Sequence, residues 1–468
     1  MASATITTFD AILKEFYIGP INDQLNNEIM VLQMFEKATV DWNGKIAVLP
    51  IHLARNTGVD WAAEDGSLPT AGHQTFEDLR VLAKYIYGRF TVTGPAIAAA
   101  GKGGANSFVG YVDAEMTRLV DDVRNAADLA SVSGGLVKGF VPDFFDATTV
   151  GAGPAVVTKA GIIYNGDFTC FDNTDGTPAK AIRIKLLRGD TLEEVALLGA
   201  PQYYVIGANS SAGTIDIFVT TGGAQAVAVD AIIPAATGDT NFPLVLMLEN
   251  FATNVAGAGT DVVSQAVYTS ATQQCEGIFG NIANPTHFSV SRSGAASAAA
   301  ALRAKMGRSN PAQVKAVALV PVALTLPMIQ GAMDAVVLDS GTSIDRIIMS
   351  PLQRQMYTLL LQGTASATNL YVETTKATTG DGGFLGLSYG GVPIQTSRHV
   401  SNGMLIMLHT KSWKITSLQD GDFADLDGAV LSRVQGKDSW EGFYRWYWNI
   451  VCTNPNRNTV LTGLKLTP

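Results

Sequence analysis

Two apolar runs near the N-terminus, residues 45–54 and 76–92, are separated by a segment with three glycines and Pro69. This pattern predicts a β-hairpin with an irregular, turn-rich tip. A strand rises about 3.3 Å per residue, so such a hairpin would reach some tens of ångströms from the rest of the protein. Because two strands alone are marginally stable in water, their apolar side chains need another surface. We expect a second copy of the same protein to provide it.

The residues after the hairpin predict a long helix that begins at Ser107, a suitable N-cap. Apolar residues recur at steps of three and four from Phe108 to Ala130. They form one apolar stripe along about 25 residues. Glycines at 101, 103 and 104 precede the helix and predict a flexible joint.

The hydrophobic pattern changes from about Val141 to Val267, where short apolar runs are separated by Gly, Asn, Asp and Thr. Such runs are typical of strands. We interpret this segment as an inserted, mostly β domain of about 125 residues.

The second half of the chain alternates helix and strand signals. The alanine-rich run 293–307 predicts a helix that ends at Gly307. Residues 326–338 predict a second helix, 345–350 a strand, and 351–363 a helix that Pro351 opens. Two more strands follow at 390–397 and 404–410, which completes the pattern of an α+β domain.

The C-terminal part of the chain contains a long alternating run, 428–455, with six aromatic residues from Trp440 to Trp448. We interpret it as a long strand ribbon that Pro455 ends. The aromatics could stack on bases or sugars, but only Arg445 supplies a cation among residues 443–448. Packing in a core or an interface is therefore the favoured interpretation.

Composition and charge exclude several classes of protein. With 47% hydrophobic and 16% charged residues among 468, the chain is not disordered, and its length suits two to four compact units. A net charge of −9 argues against tight nucleic-acid binding through a basic face, yet suits the wall of a container for a polyanion. Three distant cysteines support neither a disulfide framework nor a metal site. We expect neither a standard export signal nor a membrane span.

One motif could carry catalysis, since residues 386–390 match the GxSxG pattern with Ser388 as the nucleophile. That motif needs a strand, a turn and a helix, whereas Gly391 and Pro393 follow at once. His399 and His409 are available as partners. A turn between two strands is the favoured interpretation.

Two further groups resemble metal sites. Aspartates at 420, 422, 425 and 427 have the wrong spacing for a calcium loop, so we expect a solvated acidic turn. His52 and His73 lie on opposite limbs of the hairpin without Cys or carboxylate spacing, and a structural role is favoured. We assign no metal, no cofactor and no catalytic residue.

The order of these parts resembles a known family. The segments that carry the resemblance are LPTAGHQ, TVTGPAIAAAGKGGANSFV, DRIIMSPLQRQMYTLLL, YGGVPIQTSRHV and FYRWYWNIVCTNPNRN. Together they resemble the major capsid proteins of tailed double-stranded DNA phages, which have the Hong Kong 97-type capsid fold. The resemblance covers nearly the whole chain except residues 141–270. It implies an α+β fold with an N-terminal arm, an extended loop, a peripheral domain with a spine helix and an axial domain, plus the mostly β insertion.

The resemblance also implies where each part lies. The expected divisions are residues 1–43 (arm), 44–94 (extended loop), 95–140 (peripheral domain with spine helix), 141–270 (insertion), 271–310 (return to the peripheral domain), 311–418 (axial domain), 419–453 (peripheral strands) and 454–468 (axial C-terminal segment).

The function implied is that of a self-assembling shell of pentamers and hexamers that encloses double-stranded DNA without reading its sequence. Its expected location is the virion capsid, assembled in the host cytoplasm. Partners would be further copies, a separate scaffolding protein, a portal and, as a further candidate, a decoration protein. We expect inter-subunit contacts at Trp61, Leu68, Pro69, His73, Tyr85 and Tyr87.

Three alternatives stay open on the sequence. A cellular nanocompartment shell of the same fold would enclose an enzyme rather than DNA. A serine hydrolase would depend on Ser388. A β-rich carbohydrate-binding protein would use residues 141–270.

Overall fold

A computed structural model describes residues 30–38, 42, 44–96, 98, 105–150, 157–175, 180–194, 202–221, 224–225, 243–250, 262–294, 302–308, 322–364, 387–425 and 430–465. Most of the N-terminal arm predicted from the sequence lies outside these residues. The part inside them forms a single 3₁₀ turn, Leu32–Met34, followed by a short strand.

The described residues form two sheets, one barrel, two separate hairpins and several helices. The strands are β1 (Glu36–Ala38), β2 (Ile46–Ala54), β3 (Thr75–Leu82), β4 (Lys84–Thr93), β5 (Val137–Val150), β6 (Val157–Gly166), β7 (Ile182–Arg188), β8 (Gln202–Asn209), β9 (Thr214–Thr221), β10 (Ala224–Gln225), β11 (Leu244–Leu248), β12 (Thr286–His287), β13 (Val290–Ser291), β14 (Lys305–Arg308), β15 (Arg346–Met349), β16 (Leu387–Tyr389), β17 (Val392–Thr396), β18 (Leu405–Leu408), β19 (Trp413–Phe423), β20 (Ser432–Arg433), β21 (Ser439–Cys452) and β22 (Thr459–Thr462). The helices are α1 (Ala105–Ser133), α2 (Val262–Gln273), α3 (Ile278–Ala283), α4 (Leu326–Ser340) and α5 (Pro351–Thr364).

The first sheet, here called the long-strand sheet, is built around β21. β4 pairs with one edge of β21, and β19 and β20 pair with the other, while β1 adds to β19 in parallel. Alternate residues of β21 face opposite sides of the sheet. Tyr444, Trp446 and Trp448 are buried on the inner face, with the last two rings stacked at 4.5 Å. Core packing of these aromatics, as favoured from the sequence, is confirmed.

Helix α1 packs on that inner face. The predicted helix is confirmed, and it begins two residues before Ser107. The helix approaches β4 so closely that a Cβ on Gly88 would lie 2.8 Å from Val123 and 2.9 Å from Leu119. It ends at two glycines, of which Gly135 has a φ of +87°. A residue with a side chain would be strained there.

The predicted hairpin is present, but its return limb is shorter than the apolar run 76–92 suggested. β2 and β3 pair in antiparallel register from Ile46–Leu82 outward. At the buried Ala83 the chain passes into β4, which pairs with β21 of the long-strand sheet. Residues 84–93 are therefore part of the body of the protein, and their apolar side chains serve that sheet.

The base of the hairpin is covered by its own chain. Ala47, Leu79 and Val81 are buried in a cluster with Leu302 and Val451. The small β12–β13 hairpin also holds β3, because Ser289 Oγ donates to the Asp78 carbonyl at 2.6 Å. The expectation that only another copy covers the hairpin is wrong for this face. It stays open for the opposite face and for the tip.

The inserted domain is a closed antiparallel barrel. Its strands run in the order β9-β6-β5-β11-β7-β8, and β8 pairs with β9 to close the circle. Closure removes the exposed strand edges that an open sheet would have. The mostly β character is confirmed, although β5 begins at Val137 and the last barrel strand, β11, ends at Leu248. Buried side chains fill the interior, among them Ile162, Tyr164, Ile184, Val205, Ile217 and Leu246.

The second sheet, here called the short-strand sheet, has the order β14-β22-β18-β15-β17-β16 and carries α4 and α5. The predicted helices at 326–338 and 351–363 and the strands around 346, 392 and 405 are confirmed. The predicted helix ending at Gly307 is wrong, since Lys305–Arg308 is a strand parallel to β22. Residues 295–301 of that run lie outside the described residues.

One predicted boundary also moves. β19 begins at Trp413 and pairs with β21, so residues 413–418 belong to the long-strand sheet rather than to the domain predicted over 311–418. Among the described residues, no helix is both long and apolar enough to cross a bilayer.

Candidate inter-subunit surface

The tip of the hairpin, residues 55–74, is a long loop whose two limbs meet at a pair of glycines. A Cβ on Gly58 would lie 2.7 Å from the backbone nitrogen of Gly72, so the limbs can come this close only with glycine at this point. Asn56 Oδ1 fixes the same point by accepting the Gly58 N–H at 2.7 Å. Within the loop between these two glycines, the Gly66 N–H donates to the Ala63 carbonyl at 2.9 Å and closes a turn.

The loop between Gly58 and Gly72 exposes apolar side chains to solvent. Trp61 is 99% exposed and Leu68 is 87% exposed, while Val59 is exposed to a similar degree. Asp60, Glu64 and Asp65 share the loop. Of the other residues expected at a contact, Pro69 is half-buried and His73 is exposed. A tryptophan this exposed gains nothing within its own subunit and offers a large apolar area to a partner.

A second exposed group lies on the outer face of the long-strand sheet. Tyr85 and Tyr87 are 55% and 57% exposed, and both rings pack edge-on against Tyr447 at 5.0 and 5.9 Å. The Tyr87 hydroxyl donates to the Tyr447 hydroxyl at 3.4 Å. This hydrogen bond, with partial burial, raises the pKa of Tyr87 to about 12. We call these three residues the tyrosine patch.

Between the tyrosine patch and the tip, the outer face of the hairpin carries exposed apolar residues interspersed with the charged Asp78 and Arg80. Val48, Phe76 and Leu82 lie on the outer face of the hairpin, the face opposite the buried Leu79 and Val81. The sequence analysis missed these three residues and Tyr447. Alternation along β3 and β21 carries the signal for them, but which face is outward depends on pairing between distant strands.

Comparison with solved structures finds this architecture in a capsid chain of cyanophage A-1(L). The TM-score is 0.53 at 11% sequence identity, and the match covers 98% of this chain and 99% of that chain. This chain has a Hong Kong 97-type capsid fold. The α+β fold class expected from the sequence is confirmed.

Other capsid structures match over similar spans. The capsid of a native GTA particle has a TM-score of 0.45 at 8% identity, covering 99% of both chains. A structure of Microbacterium phage Oxtober96 has a TM-score of 0.42 at 11% identity, covering 99% of this chain and 100% of that one. At TM-scores below 0.5 these two carry no weight. No protein-family model and no curated protein sequence matches the chain.

Within this capsid fold, Ser388 lies in a strand of the short-strand sheet. It pairs with Pro393 across the β16–β17 hairpin, whose turn residues Gly390 and Gly391 have φ of +55° and +82°. The arrangement is strand, turn and strand, as favoured from the sequence, and it lacks the helix that a nucleophile elbow needs.

The two histidines considered as partners of Ser388 have other neighbours. His399 Nε2 lies 3.8 Å from the Asp128 carboxylate, and His409 Nδ1 bonds to Ser412 Oγ at 2.8 Å. Each is therefore engaged in a contact that does not involve Ser388.

The two candidate metal groups also have other partners. The acidic turn expected at 420–427 is wrong for Asp420 and Asp422, which lie in β19, and Asp427 is outside the described residues. A hydrogen bond from Lys37 at 3.0 Å lowers the pKa of Asp420. His52 Nε2 bonds to Gln74 Oε1 at 2.5 Å, and its ring packs on Phe76. The described part of the chain contains no cluster of three metal-ligating side chains.

Proposed function

We propose that this chain is the major capsid protein of a tailed double-stranded DNA bacteriophage. The observation that carries the proposal is the match to the cyanophage A-1(L) capsid chain, which takes in almost the full length of both chains. The proposal gives each part a role. The hairpin within residues 44–94 is the extended loop, α1 with the long-strand sheet is the peripheral domain, and the short-strand sheet with α4 and α5 is the axial domain.

The tip supports a contact with a second copy rather than within one chain. Eight residues of β3 separate the tip from Ala83, and at about 3.3 Å per residue the paired strands hold it roughly 26 Å from Ala83, before the tyrosine patch of its own subunit begins. Two different surfaces of one chain therefore face outward unpartnered. A contact between unlike surfaces repeats head to tail and closes into rings, here pentamers and hexamers. We propose Trp61, Leu68, Pro69, His73, Tyr85 and Tyr87 as contact residues.

The shell we propose encloses DNA without reading bases. A net charge of −9 keeps the protein from adhering to a packed polyanion through a basic face. A separate scaffolding protein, a portal and, as a further candidate, a decoration protein would complete the particle in the host cytoplasm. The chain would have no enzymatic role and no cofactor.

The test is assembly of the full chain, alone and with the scaffolding protein from its own genome, viewed by negative-stain electron microscopy. We expect closed icosahedral shells. Removal of residues 58–72 should leave a folded subunit that assembles poorly, because the exposed tip is lost. Lys437→Ala, in another exposed turn, is the matched control and should assemble normally.

Two results would contradict the proposal. One is a wild-type chain that stays monomeric with and without the scaffold. The other is normal shells from the tip deletion. Shells that enclose an enzyme rather than DNA would indicate the nanocompartment alternative instead.

A further inference from the structure

Besides shared apolar packing, one buried polar side chain connects the barrel to the short-strand sheet. Asn165, near the end of β6, is 2% exposed. Its Nδ2 donates to the Asn402 carbonyl at 2.8 Å, and its Oδ1 accepts the Gly463 N–H at 3.0 Å. Asn402 precedes β18 and Gly463 follows β22, so a single amide binds two loops of that sheet. Both of its hydrogen-bonding ends are used, which favours a fixed orientation.

The receiving loops are shaped around this side chain. Gly403 has a φ of +84°, and a Cβ at this position would lie 2.5 Å from Asn165 Nδ2. The Leu464 N–H donates to the Gly403 carbonyl at 2.9 Å, which ties the two loops to each other. The Asn165 amide therefore lies between two loops that are also hydrogen-bonded to each other.

The same end of the barrel is fixed to helix α1. Ser133 Oγ of the helix donates to Asp167 Oδ2 at 3.3 Å, and within the barrel the Tyr164 hydroxyl donates to the Lys138 carbonyl of β5 at 2.8 Å. The Lys138 ammonium donates to the carbonyl of Ser133, the last residue of α1, at 3.0 Å and lies 3.7 Å from Asp167 Oδ2. Lys138 and Asp167 are almost fully buried. A cation at the C-terminal end of a helix is favourable, and burial makes separating the pair costly.

The two parts share one buried apolar cluster, but the polar contacts between α1 and the short-strand sheet are weaker by comparison. Arg398 bonds to Asn125 on the exposed surface, and His399 lies 3.8 Å from Asp128. Burial, with the nearby Arg398 charge, lowers the pKa of His399 to about 4, against the opposing charge of Asp167. His399 is therefore neutral at pH 7, and this contact is not an ion pair.

We propose that the barrel is a brace that fixes the short-strand sheet relative to α1, with Asn165 as the connecting residue. The barrel is bonded to α1 at Lys138 and Asp167 and to the short-strand sheet at Asn165, and both joints are buried. The inference concerns one subunit and holds whether or not the subunit builds a shell. In a shell, the brace would set the angle between the two domains that each subunit presents to its neighbours.

The first test is amide hydrogen exchange of the purified full chain. Asn165→Leu keeps the volume but removes both hydrogen bonds, so exchange in residues 402–408 and 459–464 should become roughly tenfold faster or more. Barrel strands 182–188 and 244–248 should be unchanged. Gly403→Ala changes only the short-strand sheet, where its Cβ would clash with Asn165 Nδ2, and it should speed exchange in the same two loops. The matched control is Asn209→Leu, in the exposed β8–β9 turn, whose effect should stay in that turn.

The second test measures the angle itself. Spin labels at Glu115→Cys on α1 and Leu338→Cys on α4, both exposed positions, report the distance between the two domains. We expect a broader distance distribution with Asn165→Leu and an unchanged one with Asn209→Leu.

Three outcomes would overturn the brace. One is wild-type exchange in both loops for Asn165→Leu and Gly403→Ala. Another is a distance distribution that does not broaden. The third is exchange that rises equally in the barrel strands, which would mean that Asn165 serves only the folding of the barrel. If Asn165→Leu fails to fold, Gly403→Ala decides between these outcomes.

Discussion

Replacing Trp61 with alanine should block assembly without weakening the subunit. The side chain is 99% exposed, so its removal breaks no contact within the chain. Surface changes of this kind alter the free energy of unfolding by about 0.5 kcal/mol or less. A contact with a second copy, in contrast, would bury most of the indole.

The size of the loss follows from the area. A buried aromatic side chain covers about 200 Å², which at roughly 25 cal/mol per Å² corresponds to an upper value of about 5 kcal/mol. Interface residues that dominate binding cost about 2 kcal/mol or more when truncated, since part of the gain offsets lost freedom. A loss of about 2 kcal/mol weakens the contact roughly 30-fold.

The assay is light scattering over a series of protein concentrations, with electron microscopy of the products. The concentration at which Trp61→Ala assembles should rise roughly 30-fold or more, while its urea denaturation curve matches the wild type. Glu64→Gln, in the same exposed loop, is the control and should leave the threshold unchanged. Assembly of Trp61→Ala at the wild-type concentration, with normal particles, would refute the role given to the tip.

Three further predictions concern the subunit itself. Arg292→Met should lower the free energy of unfolding by about 3–5 kcal/mol in urea denaturation. The reason is that the guanidinium is fully buried and donates to the carbonyls of Gly280 at 2.7 Å and Leu302 at 3.1 Å. A loss below about 1 kcal/mol would contradict this prediction. Gly88→Val should cost about 1–3 kcal/mol in the same assay, because the new side chain would overlap Val123 and Leu119; an unchanged curve would mean that α1 does not press on β4. The pKa of His399 is about 4 in the fold and near 6.5 in the unfolded chain, so the unfolded state binds more protons between these values and stability falls as the pH drops through that range. His399→Gln should make that fall smaller in urea titrations from pH 7 to pH 4, and an identical pH dependence would count against it.

Local patterns were sufficient for the elements whose packing agrees with their own periodicity. Helix α1 has one apolar stripe, and its type could be predicted from the sequence, with about 25 residues from Ser107 expected against the 29 residues of Ala105–Ser133. The strands around 346, 392 and 405 carry strand signals of their own. In α1, Val123 of the predicted stripe is buried and Leu119 and Ala130 are half-buried, while Ala126 is exposed.

The failures share one physical cause, which is pairing with distant residues. Lys305–Arg308 follows an alanine-rich run that favours helix, yet it pairs with β22 more than 150 residues later. The run 76–92 reads as one strand, but β3 pairs with β2 and β4 pairs with β21. Closure of the barrel depends on β8 meeting β9 in register. No local pattern specifies such partners.

The candidate contact residues illustrate the same limit in another form. Tyr85 and Tyr87 could be singled out as exposed aromatics of an apolar run, but Tyr447 could not be joined to them. Its position next to Tyr85 is set by the register between β4 and β21, which are separated by more than 300 residues. The tip itself needed no such information, because its three glycines and Pro69 predict an irregular loop.

The exposed apolar side chains of the hairpin and of β4 lie along one surface of the subunit. Half of the hairpin is covered by its own chain, which leaves the outer face, the tip and the tyrosine patch. At about 3.3 Å per residue, this exposed row extends roughly 40 Å from the tip to Tyr87. A strip of this length, about 5–10 Å wide for one or two side chains, covers roughly 200–400 Å², which is half or less of the roughly 800 Å² per partner that stable complexes bury. A second copy lying along the whole row would therefore need further contacts beside it to make a stable interface, and a partner touching only the tip would need still more.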